Sequence, residues 1–125
     1  MAIENQTDRF FIDNEHEQRF TIAGVDTTGR VLKWSLSLID PATGQWDPTT
    51  LALEKSSAVT PADFVRQSEA ALESVVDVLI HDSDTAALAA GAYHFELEVF
   101  DSGGDEGVVV SAGTATLVSN NAETI

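Results

Sequence analysis

Two stretches in which apolar and polar residues alternate constrain the fold of this chain most. The first covers residues 31–39 and the second covers residues 93–99. Their apolar positions are Leu32, Trp34, Leu36 and Leu38 in the first stretch, and Tyr93, Phe95, Leu97 and Val99 in the second. A period of two residues is typical of a β-strand with one face in the core and the other in water. Both stretches are therefore predicted to be half-buried strands, with these apolar side chains directed inward.

Further short apolar runs, separated by turn signals, predict the rest of an all-β fold. They cover residues 9–12, 19–22, 51–53, 75–80 and 108–117. Proline and glycine residues supply turn chemistry after the first alternating strand, and glycines do so after the second. About seven short strands without a regular strand-helix alternation favour an antiparallel β-sandwich. In the last strand, Val109, Ala115 and Leu117 are predicted to face the core, and Gly113 is predicted to mark a bulge.

One short helix is predicted in a connection of this sandwich. Residues 60–63 read Thr-Pro-Ala-Asp, a capping-box pattern with proline at the first helical position, and they predict a helix over residues 61–73. A further helical turn is predicted over residues 84–89, with Asp82 or Ser83 as its cap.

Length and composition indicate one folded unit. The chain has 125 residues, of which 43% are hydrophobic, and this is enough to build one substantial core. We predict a single domain over residues 1–118, followed by a short polar tail over residues 119–125.

The charge balance limits the classes of partner. Twenty-one acidic residues face six basic ones, so the formal net charge is −15. Such a surface repels nucleic-acid phosphates and anionic lipid headgroups, so neither nucleic acid nor a membrane is an expected partner. Two interpretations of the charge stay open, namely solubility with self-avoidance and docking to a basic partner.

The chain contains no cysteine. Thiol catalysis, thiolate zinc sites and disulfide stabilisation are therefore excluded. The first residues do not follow the pattern of a signal peptide, and no run of apolar residues reaches the ~18 that a membrane span needs. We expect synthesis in the cytoplasm.

Residues 84–101 carry a pattern that resembles a known family. From Thr85 to Asp101 the chain follows T-x-x-L-x-x-G-x-Y-x-F-x-L-x-V-x-D, and the last strand has a glycine followed by alternating small and apolar residues. This order resembles phage-encoded immunoglobulin-like domains of small virion proteins and of the N-terminus of baseplate upper proteins. The positions that carry the fold signature are Trp34, Leu88, Gly91, Tyr93 and Gly113.

The resemblance implies an immunoglobulin-like sandwich and a structural role in a particle. The expected function is that of an accessory protein of a tailed bacteriophage virion, either a decoration protein on the capsid exterior or a neck, tail or baseplate component. Its partners would be other virion proteins in a symmetric, multi-copy assembly, and no cofactor is expected. The chain departs from the family at residues 61–73, where the family has a short glycine-containing stretch.

Two groups of residues are candidate metal sites. His81 and His94 could lie on neighbouring strands, but a third ligand is not evident, so His16, His81 and His94 are expected to be solvated or structural. Residues 101–107 offer acidic side chains on a glycine-rich loop, yet they lack the spacing of a calcium-binding EF-hand. A hairpin loop is the favoured interpretation there.

No catalytic constellation stands out. The chain has neither a G-x-S-x-G nucleophile motif nor a glycine-rich phosphate loop after a strand. With so many acids, no pair of carboxylates can be selected for hydrolysis. The chain is therefore predicted to be a non-enzyme.

Three aromatic residues are candidate interface residues. Trp46 follows the turn after the first alternating strand, Phe100 lies on the polar side of the second, and Phe64 opens the predicted helix. Two alternatives stay open for Trp46: it caps the edge of the core, or it protrudes as an interface anchor, since exposed tryptophan is uncommon unless it binds something. The alternative function is an immunoglobulin-like recognition module that holds a host glycan or protein, with Trp46 as a stacking platform.

Overall fold

A computed structural model describes residues 4–24, 27–47, 49–68, 73–101 and 106–119. Residues 120–125 of the predicted tail and residues 102–105 of the candidate calcium loop lie outside this part. The strands are β1 (Glu4–Phe11), β2 (His16–Ala23), β3 (Leu32–Leu38), β4 (Leu53–Ser56), β5 (Phe64–Ser68), β6 (Glu73–Ile80), β7 (Gly91–Phe100) and β8 (Gly107–Val118). A 3-10 turn (Pro61–Asp63) and one turn of helix, α1 (Asp82–Thr85), lie in connections.

The strands form two layers. The larger sheet has the order β1-β8-β7-β3-β4, and the smaller sheet has the order β2-β6-β5. β1 pairs with β8 in parallel, whereas every other pairing among the described strands is antiparallel. These layers make the predicted all-β, immunoglobulin-like sandwich.

The core lies between the two sheets. Its largest fully buried side chains include Trp34, Phe10, Phe20 and Phe95. The Trp34 indole Nε1 donates a hydrogen bond to the Gln18 Oε1 atom at 2.9 Å, which links β3 of the larger sheet to β2 of the smaller one. Phe20 and Phe95 also meet across the layers, edge to face, with ring centroids 5.9 Å apart.

The prediction of a helix over residues 61–73 is wrong. Only Pro61–Asp63 form a helical turn, and Thr60 makes no side-chain hydrogen bond that would cap it. Phe64–Ser68 form strand β5, which pairs with β6 and raises the count of described strands to eight. Burial of Phe64 against the core, opposite Val78, overrides the local capping signal. Residues 69–72 lie outside the described part.

The second helical turn begins earlier than predicted. It covers Asp82–Thr85 instead of residues 84–89, and His81 occupies the N-cap position. The Asp84 carboxylate accepts a hydrogen bond from the backbone N–H of His81 at 2.8 Å, which fixes this start.

The bulge in the last strand is not at Gly113, which pairs with Phe95 without a shift. Leu97 pairs with Ser111 and Glu98 with Val109, so the extra residue is Val110. Consequently Val110 is buried and Val109 is only half-buried, contrary to the prediction for Val109.

Two further predictions, for Leu38 and for the strand at residues 51–53, are wrong. Leu38 is the last residue of β3 and lies outside the core cluster, with half of its side chain exposed. The strand predicted at residues 51–53 begins only at its final residue and runs over Leu53–Ser56 instead.

Candidate functional site

The outer face of the larger sheet carries a groove of about 270 Å³. It is lined by Lys33, Ser35, Ser37, Trp46, Leu51, Glu54, His94, Glu96 and Glu98, and we call it the outer groove. Strands β4, β3 and β7 lie side by side there, so residues far apart in sequence become neighbours. Ser35 pairs with both Glu54 and Glu96, and Ser37 pairs with His94. The two serines are small, so the floor of the groove is low between larger side chains.

Trp46 closes one end of the outer groove. Its ring stacks on the His94 ring, with centroids 3.8 Å apart and planes inclined by 15°. Even so, 41% of Trp46 is exposed. This stacking holds a large amphipathic ring at the surface, which is a feature of protein-binding anchors.

Two adjoining turns position Trp46. In the first, the Gly44 N–H donates to the Asp40 carbonyl at 2.7 Å, and Gly44 has a positive φ of 71° that favours glycine. In the second, the Asp47 carboxylate accepts hydrogen bonds from the Thr49 N–H at 2.9 Å and from the Thr50 hydroxyl at 3.0 Å. Hydrogen bonding from the Thr49 hydroxyl, above all, lowers the pKa of Asp47. Trp46 is therefore held in place before any partner arrives.

The outer groove carries more negative than positive charge. Among its described residues, the three carboxylates of Glu54, Glu96 and Glu98 face one ammonium group, that of Lys33. The Lys33 Nζ atom lies 3.7 Å from a Glu54 oxygen and 5.7 Å from the centroid of the Phe100 ring. Of the predicted interface residues, Trp46 lines the outer groove. Phe100 lies next to the groove, beside Lys33.

Phe64, the third predicted interface residue, is only 5% exposed and belongs to the core cluster. The interface prediction for Phe64 is wrong because β5, unlike the predicted helix, turns this side chain inward. Among the described residues, none of the side chains that line the outer groove comes from the smaller sheet.

A second polar group, the lysine-histidine cluster, lies where the two sheets meet at one edge. It consists of Lys55, Asp63, Asp84, His81 and Glu15. The Lys55 Nζ atom lies 2.8 Å from an Asp63 oxygen and 2.7 Å from an Asp84 oxygen. The His81 Nε2 atom lies 2.8 Å from Asp63, and its Nδ1 atom lies 3.1 Å from Glu15. The cluster joins β4 of the larger sheet to three segments that flank the smaller one.

Charges within the lysine-histidine cluster hold one another ionised. Burial lowers the pKa of Lys55, but hydrogen bonds to Asp63 and Asp84 outweigh this and raise it overall. Burial raises the pKa of Asp63, but the hydrogen bonds from Lys55 and His81 lower it overall. This cluster is not among the sites predicted from the sequence. One signal points to it, because the alternation that places Leu53 inward also places Lys55 inward.

Stability should fall as the pH rises through the pKa of His81. Hydrogen bonds first to Asp63 and then to Glu15 raise this pKa in the folded state. A raised folded-state pKa means that the stabilisation is fully present below the unfolded value of about 6.5 and is lost above the folded value. We expect the free energy of unfolding, measured by urea titration between pH 5.5 and 8.5, to decline with pH.

The control for this pH dependence is His81→Gln, which keeps an amide for hydrogen bonding but cannot titrate. The decline should be shallower in that variant. An equal slope in both proteins would contradict the assignment to His81.

Three of the fold-signature residues, Leu88, Gly91 and Tyr93, lie at a corner that leads into β7. The Tyr93 hydroxyl donates to the Ala89 carbonyl at 2.7 Å, as expected for a tyrosine at such a corner. Gly91 has a positive φ of 150°, and Leu88 packs against the core. Trp34 is a core residue as predicted. The motif thus explains the geometry of the chain and forms no binding site by itself.

The three histidines do not converge. His81 follows β6 of the smaller sheet and His94 lies on β7 of the larger one, so the two histidines do not lie on neighbouring strands. His16 lies near Asp8, with 3.1 Å between Nε2 and a carboxylate oxygen. Within the described ranges, no group of three or more histidine, aspartate or glutamate side chains could hold a metal ion.

These observations define the class of protein as an immunoglobulin-like β-sandwich with a grooved outer sheet face. No protein-family model matches the chain, and neither does any curated protein. Among the helices in the described part, none is long and apolar enough to cross a membrane.

Two solved structures are similar to this chain at 9% identity each. One is the periplasmic chaperone SfaE, with a TM-score of 0.37, where the match covers 95% of this chain and 57% of the chaperone. The other is a family 123 glycoside hydrolase from Clostridium perfringens that acts on glycolipid glycans, with a TM-score of 0.41, where the match covers 95% of this chain and 24% of the hydrolase. This chain therefore spans less than two thirds of either protein.

Proposed function

We propose that this chain is a non-catalytic assembly module that binds a neighbouring protein through the outer groove. The observation that carries the proposal is the exposed Trp46 ring, fixed between two turns and stacked on His94. Tryptophan is over-represented among the residues that dominate binding energy, and an anchor that is already ordered loses less entropy on binding.

The opposite face of the sandwich supports the choice of the outer groove. On the smaller sheet, the Arg19 guanidinium makes two hydrogen bonds to Asp77, at 2.7 Å and 2.9 Å, and Gln67 adds a third at 3.1 Å. These polar groups satisfy one another within the chain. A partner that covered them would gain little from their charges.

We further propose that the assembly is the virion of a tailed bacteriophage, in which the chain serves as an exterior decoration protein or as a neck, tail or baseplate component. This part of the proposal rests on the resemblance of residues 84–101 to phage immunoglobulin-like domains. The net charge of −15 suits an outer position better than one facing packaged DNA, because like charges repel. A symmetric particle would present many copies of the same groove contact.

The test compares particles that carry the wild-type chain with particles that carry Trp46→Ala. We expect wild-type chain to co-sediment with particles and to be visible by antibody labelling in negative-stain images. Removal of a dominant anchor is expected to weaken binding by about 30-fold, the equivalent of ~2 kcal/mol. The measurement is occupancy as a function of added protein.

Val65→Ala is the matched control, because Val65 is an exposed apolar residue on the smaller sheet. Its occupancy curve should match that of the wild type. Wild-type chain that stays in the supernatant, or equal weakening by both variants, would overturn the proposal.

A second candidate function is recognition of a host glycan, favoured by the exposed aromatic surface of Trp46. Small-molecule sites usually enclose ~300–1,000 Å³, and the outer groove lies just below that range. A glycan array probed with the wild type and with Trp46→Ala separates the candidates. Glycan binding that is lost in Trp46→Ala would favour recognition over assembly.

A further inference from the structure

We infer that the outer groove receives an arginine side chain of the partner protein, which stacks against Trp46 and pairs with the carboxylates of Glu96 and Glu98. This inference rests on the proposed function, because it names the chemistry of the partner at the same site. It follows from three properties of the groove: its charge, its aromatic surface and its size.

Charge complementarity favours a cationic occupant. Among the described residues that line the groove, Lys33 is the lysine; it lies beside Glu54 and Phe100 and opposite Glu98 in the pairing of β3 with β7. Glu96 is 2.9 Å from the His94 Nε2 atom, whereas Glu98 has no ion pair with any residue in the described part. Glu96 and Glu98 lie two positions apart on β7, so both carboxylates face the same side of the sheet. An incoming cation would therefore meet two carboxylates in a row.

The aromatic surface favours arginine in particular. His94 covers part of the Trp46 ring, and the remaining surface is open to solvent. A planar guanidinium stacks on tryptophan and at the same time donates hydrogen bonds in its own plane to carboxylates. Lysine offers a compact ammonium that cannot make both contacts in this way.

The size of the groove fits one long side chain. Its volume is about 270 Å³, and its floor consists of the small residues Ser35 and Ser37. Their hydroxyls add hydrogen-bonding groups beneath an occupant. A volume of this size accommodates one long side chain.

The experiment uses the full chain and three synthetic eight-residue peptides. The first alternates arginine and serine, the second replaces arginine with citrulline, which has nearly the same shape but no charge, and the third replaces it with lysine. Binding is measured by calorimetry, and the contact surface is mapped by amide chemical shifts. We expect the arginine peptide to bind most tightly, with the largest shifts in residues 33–37, 46 and 94–98.

Variants separate a defined site from general attraction to an acidic protein. The double variant Glu96→Gln with Glu98→Gln should weaken arginine-peptide binding about fivefold or more, and Trp46→Leu should weaken it about two- to fivefold. The matched control is Glu17→Gln with Glu73→Gln, which removes the same charge from exposed positions on the smaller sheet. This control should change affinity less than twofold.

Three outcomes would overturn the inference: equal weakening by both double variants, equal affinity for the arginine and citrulline peptides, or shifts centred on the smaller sheet. Equal affinity for the lysine peptide would overturn the choice of arginine. If Trp46→Ala still releases the chain from particles while the arginine peptide shows no preference for the groove, this inference fails and the proposed function stands.

Discussion

Replacing Trp34 with alanine is expected to lower the free energy of unfolding by about 3–5 kcal/mol. Trp34 is fully buried between the sheets, and its ring centroid lies 6.3 Å from that of Phe10. The substitution would leave a large cavity in a densely packed core. It would also remove the hydrogen-bond donor for the Gln18 Oε1 atom, although the Gln18 Nε2 atom already lacks a partner among the described residues. A buried amide with neither group satisfied adds a desolvation cost.

Urea titration followed by circular dichroism measures this loss. Trp46→Ala provides a matched control, because it removes the same side chain from a position that is 41% exposed. We expect that variant to lose less than about 1 kcal/mol, in line with surface substitutions. Equal losses in the two variants would contradict the assignment of Trp34 to the core and of Trp46 to the surface.

Replacing Lys55 with methionine is expected to cost about 3 kcal/mol, near the lower end for removal of one partner from a buried ion pair. The lysine is only 7% exposed and contacts both Asp63 and Asp84. Without the ammonium group, two carboxylates would lie close together with little solvent. Methionine has a similar length, so the effect reports lost charge more than lost volume.

The pH dependence gives this prediction a distinct signature. In the wild type, the pKa of Asp63 is lowered overall, so its contribution to stability is present above the unfolded pKa and is lost as the pH falls through the folded pKa. In Lys55→Met no ammonium group offsets the effect of burial, which raises the pKa of Asp63. The variant should therefore regain stability relative to the wild type as the pH falls below about 5.

Lys33→Met is the control for Lys55→Met. Lys33 lies in the outer groove, where its Nζ atom is 3.7 Å from a Glu54 oxygen. Both side chains are more than one third exposed. Removal of such a surface pair is expected to cost less than about 1 kcal/mol. If Lys33→Met and Lys55→Met were equally destabilised, the lysine-histidine cluster would not be a structural link between the sheets.

The central strands could be predicted from the sequence because one face of each meets the core. The alternation around Trp34 and Tyr93 has a period of two, and only a strand satisfies that period with one buried side. The prediction of a helix over residues 61–73 is wrong because a capping signal is local, whereas the burial of Phe64 depends on a distant strand. Propensity gives way to tertiary packing in such segments.

The outer groove could be predicted only in part. The sequence predicts Trp46 and Phe100 as candidate interface residues, because Trp46 follows the turn after the first alternating strand and Phe100 lies on the polar side of the second. That Trp46 would stack on His94 depends on the return of the chain after β3 and on the register between β3 and β7, which a single sequence does not contain. The lysine-histidine cluster is harder still, because it combines residues 15, 55, 63, 81 and 84 from separate connections.

The strand order and the burial pattern define the sandwich. The proposed role in a virion rests on the resemblance of one motif, which the structure explains as a corner around Tyr93. A fold of this kind serves many functions, so only the site can decide among them.

Site-specific photocrosslinking tests the central claim, that a partner protein covers the outer groove, most directly. p-Benzoyl-phenylalanine would replace Ser35 on the groove floor or Thr21 on the exposed face of the smaller sheet, and assembled particles would be irradiated. We expect a covalent adduct with a particle protein from position 35 and none from position 21. Adducts from position 21 alone, or none from either position, would contradict it.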